Sequence, residues 1–303
     1  MGFIKEYREL IGIEEHVKEK KRRSKGEKIV FGFAFVFLCI FAGTYVFGLL
    51  WMVLNSFKDP WAYALGDTFG VPKGKWLFSN YTEVFTTLKV NGVGFFGMMF
   101  NSIWQVVTPT CATLISTMAA SYAYARFKFP GRKVVYTIAI VLLTLSFPGS
   151  MHASYKLHVS LNLLNTPLFY INSFSGLGTN FIIYAGFWGS IDWAYSEAAY
   201  IDGANEWDVL TKIMIPQAKP IFAVTFLLTF VNCWGDATQC LIYLQRMPNI
   251  AFGMYEYLFR MQRNMNFPVY FAALTITAIP TLIMFLSFQD IIMTGLNIGG
   301  LKG

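Results

Sequence analysis

The sequence carries none of the motifs that bind nucleotides or perform hydrolysis. A GxxxxGK[ST] loop, whose backbone amides cradle phosphates, does not occur in its 303 residues, and neither HExxH nor GxSxG is present. His16, His152 and His158 fall in a polar tail or in predicted connections, where we expect solvated imidazoles. We therefore predict no catalytic residue, no metal site and no cofactor for this chain.

The four cysteines lie inside apolar stretches, and no two of them have CxxC spacing. Disulfide frameworks and zinc sites are therefore not expected, and we predict buried thiols that pack as small apolar residues. The residues concerned are Cys39, Cys111, Cys233 and Cys240.

The most informative stretch is residues 197–216, EAAYIDGANEWDVLTKIMIP. It predicts a short helix over 197–201 and a turn at Asp202 and Gly203, where glycine relieves the backbone. A second helix then begins with Asn205 as its N-cap and ends at Pro216.

Trp207, Leu210 and Met214 recur at helical spacing within the second of these helices. Because the connection should face water, this apolar stripe needs cover from another surface. Either the helix ends of the same chain or a partner protein can supply it, and composition leaves both open.

The elements that must position this stretch are membrane helices. The chain is 55% hydrophobic and only 14% charged, with a mean hydropathy of +0.47, which is too apolar for a soluble domain. A crossing of the roughly 30 Å hydrocarbon core takes about 20 residues, so the length allows six. The predicted crossings are about 29–54, 95–124, 134–147, a run that ends near Trp188, 221–244 and 269–293, with a polar connection at 152–165.

Six crossings place both termini on one side of the membrane. With the termini inside, sixteen of the 24 Lys and Arg residues fall on the cytoplasmic side, as the positive-inside rule requires. The net charge of +7 is thereby explained without nucleic acid, since the cations cluster beside apolar runs. We predict a cytoplasmic tail over 1–28 and one transmembrane domain over 29–303, with a cytoplasmic loop at 189–220.

Residues 197–216 resemble the EAA motif of ABC importer permeases, with Glu197, Ala198, Ala199, Gly203, Ile213 and Pro216 at its defining positions. The resemblance implies a coupling helix that docks into a groove of the ATPase subunit and transmits its closure to the membrane helices. The implied coupling residues are Glu197, Ala198, Ala199, Asp202, Gly203, Trp207, Leu210, Ile213 and Pro216.

Two further segments, AASYAYARFKFPGR at 119–132 and GGLKG at 299–303, resemble the carbohydrate branch of these permeases. From residue 29 onward the chain is similar to the smaller, six-crossing member of the maltose permease pair. The implied fold is all-α: a polytopic membrane helix bundle of six transmembrane helices, the type I ABC importer permease (MetI-like) fold.

The resemblance also implies partners and a location. A second permease, two ATPase subunits that bind ATP and Mg, and an external solute-binding protein would complete the importer. The complex would lie in the cytoplasmic membrane of a bacterium or archaeon. The sequence does not identify the carbohydrate.

Asp236 is the most deeply placed ionisable group, midway along the fifth predicted crossing. Family members often have Trp-Asn-Asp/Glu there, whereas this chain has Trp234-Gly235-Asp236. A carboxylate in hydrocarbon is costly, so Asp236 either faces a polar cavity, where it bonds sugar hydroxyls, or pairs inside the bundle. Trp104, Trp234 and Tyr243 are candidates to stack on a sugar, although aromatic residues also anchor helices at the lipid interface.

Two rival functions are compatible with a helical membrane protein. A carrier driven by protons or sodium would show repeated halves or discontinuous helices, and no internal repeat is evident. An intramembrane hydrolase would need catalytic motifs that the chain lacks. A cytoplasmic helix-turn-helix, which neither rival requires, favours the ABC permease.

Overall fold

A computed structural model describes residues 24–144, 150–174, 176–260 and 266–299, which are mostly helical. Two compact units are distinguished, Met1–Trp51 and Met52–Gly303. The boundary falls inside the first helix, α1 (Lys25–Ser56).

In the N-terminal unit, α1 begins with a capping box. Ser24 Oγ accepts a hydrogen bond from the Glu27 amide at 3.2 Å, and Glu27 Oε2 accepts one from the Ser24 amide at 2.9 Å. The helix thus starts inside the predicted tail, of which residues 1–23 lie outside the described part of the chain. Its side chains are apolar on every face, as in a membrane span, so Cys39 is exposed and not the buried thiol that was predicted.

The second unit contains the remaining helices and one small hairpin. Its first elements are α2 (Pro60–Ala64), α3 (Ser79–Thr87), the antiparallel strands β1 (Lys89–Val90) and β2 (Val93–Gly94), and α4 (Phe95–Arg126). They are followed by α5 (Arg132–Thr144), α6 (Ser150–Ser160), a 3-10 helix (Pro167–Ser173), α7 (Thr179–Ser190), α8 (Ala194–Ile201), α9 (Glu206–Trp234), α10 (Thr238–Ile242), α11 (Ile250–Arg260) and α12 (Phe267–Gly299).

The long helix α4 is the centre of this unit, because both α7 and α9 pack against it and α9 also packs against α12. Buried side-chain hydrogen bonds join these helices. Trp188 Nε1 donates to Ser121 Oγ at 3.0 Å, and the hydroxyls of Tyr184 and Thr225 lie 2.6 Å apart. Such polar contacts hold helices together where lipid gives no hydrophobic drive to association.

Three helices of the described residues are long and apolar enough to cross a membrane: Lys25–Ser56, Glu206–Trp234 and Phe267–Ile292. The helix α4 has the length, at 32 residues, but a polar face that includes Ser102 and Gln105. The helices α5 and α7, with 13 and 12 residues, are shorter than the roughly 20 that a crossing takes. Six spans are therefore not confirmed.

One predicted connection differs from the structure in two respects. Residues 150–160 form the helix α6, where a polar connection was expected. The expectation that His158 is solvated is wrong: its side chain is buried, and Nδ1 lies 2.7 Å from the Ser154 carbonyl oxygen. The ring packs against Phe169 and Tyr243, which give the imidazole an aromatic site that residue composition could not reveal.

Candidate coupling site

The turn after α8 is a Schellman motif centred on Gly203. The Ala204 amide donates to the Ala199 carbonyl at 2.9 Å and the Gly203 amide donates to Tyr200 at 3.0 Å. Gly203 has φ of +82°, a left-handed conformation that glycine adopts without steric cost. The predicted turn is thus present, and it reverses the chain within two residues.

The next helix starts at the predicted cap. Asn205 is extended, with φ −89° and ψ 171°, and its Oδ1 accepts a hydrogen bond from the Asp208 amide at 2.9 Å. Glu206 and Asp208 place negative charge in the first turn, where the helix dipole favours it. One turn later, Lys212 Nζ lies 2.6 Å from Asp208 on the surface.

Pro216 does not end this helix, contrary to the prediction. The chain is π-helical over Val209–Met214 and continues as α-helix from Ile215 to Trp234. The Ile215 amide therefore bonds to the Leu210 carbonyl, one residue further back than in an α-helix. The wider turn accommodates proline, which has no amide hydrogen to donate. Residues 197–216, which we call the coupling segment, therefore continue into the following span without a break in the helix.

The predicted apolar stripe is divided between the core and the surface. Met214 is fully buried, together with Val209, and Leu210 is half-buried against the same cluster. Trp207 is 70% exposed, and Ile201, on the other side of the turn, is 85% exposed. The protein's own helix ends thus cover the inner part of the stripe and leave its tip open.

The remaining predicted coupling residues surround this open tip. Glu197 and Ala198 are exposed on α8, whereas Ala199 is buried beneath them. Asp202 and Pro216 are also exposed, and Ile213 is partly buried. Around the turn, the surface therefore combines two large apolar side chains with carboxylates.

Glu206 joins the coupling segment to the membrane helices. Its Oε1 accepts a hydrogen bond of 2.6 Å from the Tyr200 hydroxyl of α8, and its Oε2 accepts one of 3.5 Å from Tyr122 of α4. Burial raises the pKa of Tyr200 to about 12, and the Glu206 hydrogen bond adds to the rise. Tyr200 therefore remains a protonated donor over the physiological pH range.

Arg126, the last residue of α4, also contacts the residues around the coupling segment. Its Nη2 lies 3.3 Å from Met214 Sδ and 3.5 Å from the Ile191 carbonyl oxygen. The guanidinium carbon lies 5.3 Å from the ring centroid of Trp193, within range of a cation–π contact. One helical turn of α4, with Tyr122 and Arg126, thus touches α9 and the N-cap residue of α8.

These linking residues were not among the predicted site residues. Tyr122 and Arg126 have i, i+4 spacing and share a helix face, but only the fold shows that this face meets Glu206. Ile201 was also missed. It directly precedes the predicted turn, and a large apolar residue beside a water-exposed turn is a signal that could have marked it as a contact residue.

Asp236 lies at a break between helices and not midway along a crossing. The helix α9 ends at Trp234, ten residues before the predicted end, with Gly235 as its C-cap. Asp236 is partly exposed, and its Oδ1 accepts a hydrogen bond of 2.8 Å from the amide of Thr238, the first residue of α10. The side chain thus has a structural role, and its contact with cargo stays a prediction.

The three aromatic candidates lie against the core around this break. Trp234 is buried and donates to the Thr277 carbonyl at 3.1 Å. Trp104 is half-buried and donates to Asn101 Oδ1 at 3.2 Å. Tyr243 is buried, and its ring lies 5.2 Å from that of His158. Two of the three rings, those of Trp234 and Tyr243, are thus buried in this conformation, and Trp104 is the more exposed candidate.

Comparison with known proteins identifies the family. The profile of the family described as "Binding-protein-dependent transport system inner membrane component" matches residues 112–297, more than half of the chain. The probable ABC transporter permease protein YurM of Bacillus subtilis is 28% identical over 295 residues, which is 95% of this chain and 93% of the relative. The diacetylchitobiose uptake system permease protein NgcG of Streptomyces coelicolor is 29% identical, covering 80% of this chain and 79% of NgcG.

One solved structure shares the fold over nearly its whole length. A chain from the crystal structure of a bacterial ABC transporter involved in the import of the acidic polysaccharide alginate superposes with a TM-score of 0.74. The two sequences are 24% identical, and the match covers 88% of this chain and 98% of the other. The family match and the shared fold lead to one conclusion: the chain belongs to the family of inner membrane components of binding-protein-dependent transport systems.

Proposed function

We propose that this chain is the transmembrane permease subunit of an ABC importer for carbohydrate, and that its coupling segment docks on a separate ATPase subunit. The observation that carries the proposal is the exposed pair Ile201 and Trp207, which lie on either side of the left-handed Gly203. A protein that exposes two large apolar residues beside carboxylates at one rigid turn has a surface suited to a partner.

The links behind this turn support a mechanical role. Because α9 continues without a break from the coupling segment to Trp234, a displacement at Trp207 moves the span itself. The contacts of Glu206 with Tyr200 and Tyr122 would pass the same displacement to α8 and α4. Two interfaces would thus move together when an ATPase subunit closes.

Carbohydrate as cargo follows from the relatives. Several are named as transporters of diacetylchitobiose, arabinooligosaccharides or maltodextrin, and the structural neighbour belongs to an alginate importer. We propose an oligosaccharide, neutral or acidic, whose pathway this chain half encloses. Asp236 is retained as a candidate for cargo contact, with Trp104, Trp234 and Tyr243 around it.

The proposal includes the arrangement of the complete importer. A companion permease would form the other half of the pathway, two ATPase subunits would bind ATP and Mg, and a solute-binding protein would deliver the cargo. Six crossings would place both termini in the cytoplasm of a bacterium or archaeon. The short helices α5 and α7 would complete their crossings with neighbouring segments.

Reconstitution of the importer in vesicles tests the proposal. Transport of diacetylchitobiose, arabinooligosaccharides, maltodextrin and alginate oligomers is measured together with ATP hydrolysis. Gly203→Asp should leave the permease inserted but separate hydrolysis from transport, because it adds a charged side chain at the exposed turn between Ile201 and Trp207. Gly131→Asp is the matched control, since Gly131 also has a left-handed φ, +87°, but lies before α5. Normal transport by the Gly203 variant would contradict the proposal.

A further inference from the structure

An exposed apolar segment follows α1 within a few residues of its end. It comprises residues 60–71, PWAYALGDTFGV, which include α2. Trp61, Leu65 and Phe69 are 79%, 87% and 72% exposed. Trp61 and Leu65 are four residues apart, so they share one face of the helical turn. Contiguous apolar surface of this kind marks a contact site.

The segment is held in a defined conformation. Asp59 caps α2, since its Oδ1 accepts hydrogen bonds from the amides of Trp61 at 2.8 Å and Ala62 at 3.0 Å. Lys58 is buried, and its Nζ donates to the Asp67 carbonyl at 2.7 Å, which closes the loop beyond the helix. The exposed side chains therefore project from a structured loop.

Contacts of Tyr63 show where the segment lies along the membrane helices. The ring of Tyr63 lies 5.4 Å from that of Phe267 and 5.8 Å from that of Phe271. These two residues belong to the first turns of the candidate span Phe267–Ile292. At the same end of the bundle, Asn80 Nδ2 donates to the carbonyl of Ser56, the last residue of α1, at 2.8 Å. The segment therefore lies beside the last residues of α1 and the first turns of α12.

We infer that residues 60–71 anchor the protein in the interface of the bilayer, with Trp61 and Leu65 among the lipid headgroups and upper acyl chains. Tryptophan is enriched at this depth because its ring is apolar and its indole N–H is polar. Tyr63 faces the bundle while Trp61 and Leu65 face away from it, which is the arrangement that an interfacial helix needs. The inference depends on the chain being a membrane protein and is independent of its cargo.

Fluorescence quenching in nanodiscs tests the inference. The full chain with its copurifying subunits is placed in lipid that carries bromine either near the headgroups or deep in the acyl chains. The emission of Trp61 is obtained as the difference between the unmodified protein and Trp61→Phe. We expect headgroup-proximal bromine to remove most of this emission and deep bromine to remove less. A Phe69→Trp change in the Trp61→Phe background repeats the measurement further along the segment.

Trp207 provides the matched control, because it is comparably exposed but lies in the coupling segment. Its emission, obtained with Trp207→Phe, should be insensitive to brominated lipid. Trp61 emission that iodide quenches but brominated lipid does not would place the segment in water and overturn the inference. Insensitivity to both quenchers would mean that another protein subunit covers the segment, which would overturn it equally.

Discussion

The hydroxyl of Tyr200 donates a hydrogen bond of 2.6 Å to Oε1 of Glu206, across the turn that joins α8 to α9. The same carboxylate accepts a second, longer bond from Tyr122 of α4. A side chain that follows the turn by three residues therefore connects three helices. This contact keeps Ile201 and Trp207 in a fixed position relative to the membrane helices.

Removal of the Tyr200 hydroxyl should loosen the coupling segment without unfolding the protein. For Tyr200→Phe we expect a loss of about 1 kcal/mol in stability, the usual worth of one hydrogen bond, because Glu206 is exposed and water can replace the lost donor. The amount of cargo moved per ATP hydrolysed should fall, and both quantities are measurable in vesicles. Tyr195→Phe, on the exposed surface of the same helix, is the control and should change neither.

The left-handed backbone at Gly203 gives a second test. Gly203→Ala should cost roughly 1–2 kcal/mol and impair transport, because a Cβ is disfavoured at positive φ. Gly203→Asn should be tolerated better, since asparagine adopts this conformation more readily than other residues with side chains. Thermal unfolding and transport assays on the two variants show the difference. Equal behaviour would indicate that conformation is not what matters at this position.

The exposed and buried residues of the coupling segment should respond differently to truncation. Trp207→Ala removes an exposed side chain, so we expect unchanged stability and a loss of about 2 kcal/mol or more in ATPase binding, as for an interface hot spot. Met214→Ala creates a cavity in the core and should cost about 2–5 kcal/mol in stability. Thermal unfolding and copurification with the ATPase subunit separate the two effects. Destabilisation by Trp207→Ala would argue against a docking surface.

The turn and the helix start within residues 197–216 could be predicted from the sequence because their signals are local, whereas the coupling role stays a prediction. Asn205 has a side chain that caps a helix, and Gly203 allows the left-handed turn, wherever the segment lies in the fold. The predicted end of the second helix at Pro216 was wrong, since the preceding turn is π-helical and the helix continues beyond the proline.

Long-range contacts could not be predicted from local patterns. Glu206 and Tyr122 are 84 residues apart, and no periodicity connects them. His158 appeared to lie in a polar connection, but Phe169 and Tyr243 enclose it once α6 has formed. The depth of Asp236 was misjudged because Gly235, which ends α9, is surrounded by residues that read as one apolar run.

Asp236→Asn tests whether the charge of Asp236 serves the cargo. The side-chain oxygen of asparagine can accept the hydrogen bond of the Thr238 amide in place of the carboxylate, so stability should not change. If the carboxylate bonds sugar hydroxyls, its loss weakens cargo binding by about 1 kcal/mol, or roughly fivefold in the cargo concentration for half-maximal transport. Asp59→Asn is the matched control, because Asp59 also accepts a hydrogen bond from the amide two residues further on, and this variant should leave that concentration unchanged. Identical transport curves for both variants would assign Asp236 to its local backbone contact alone.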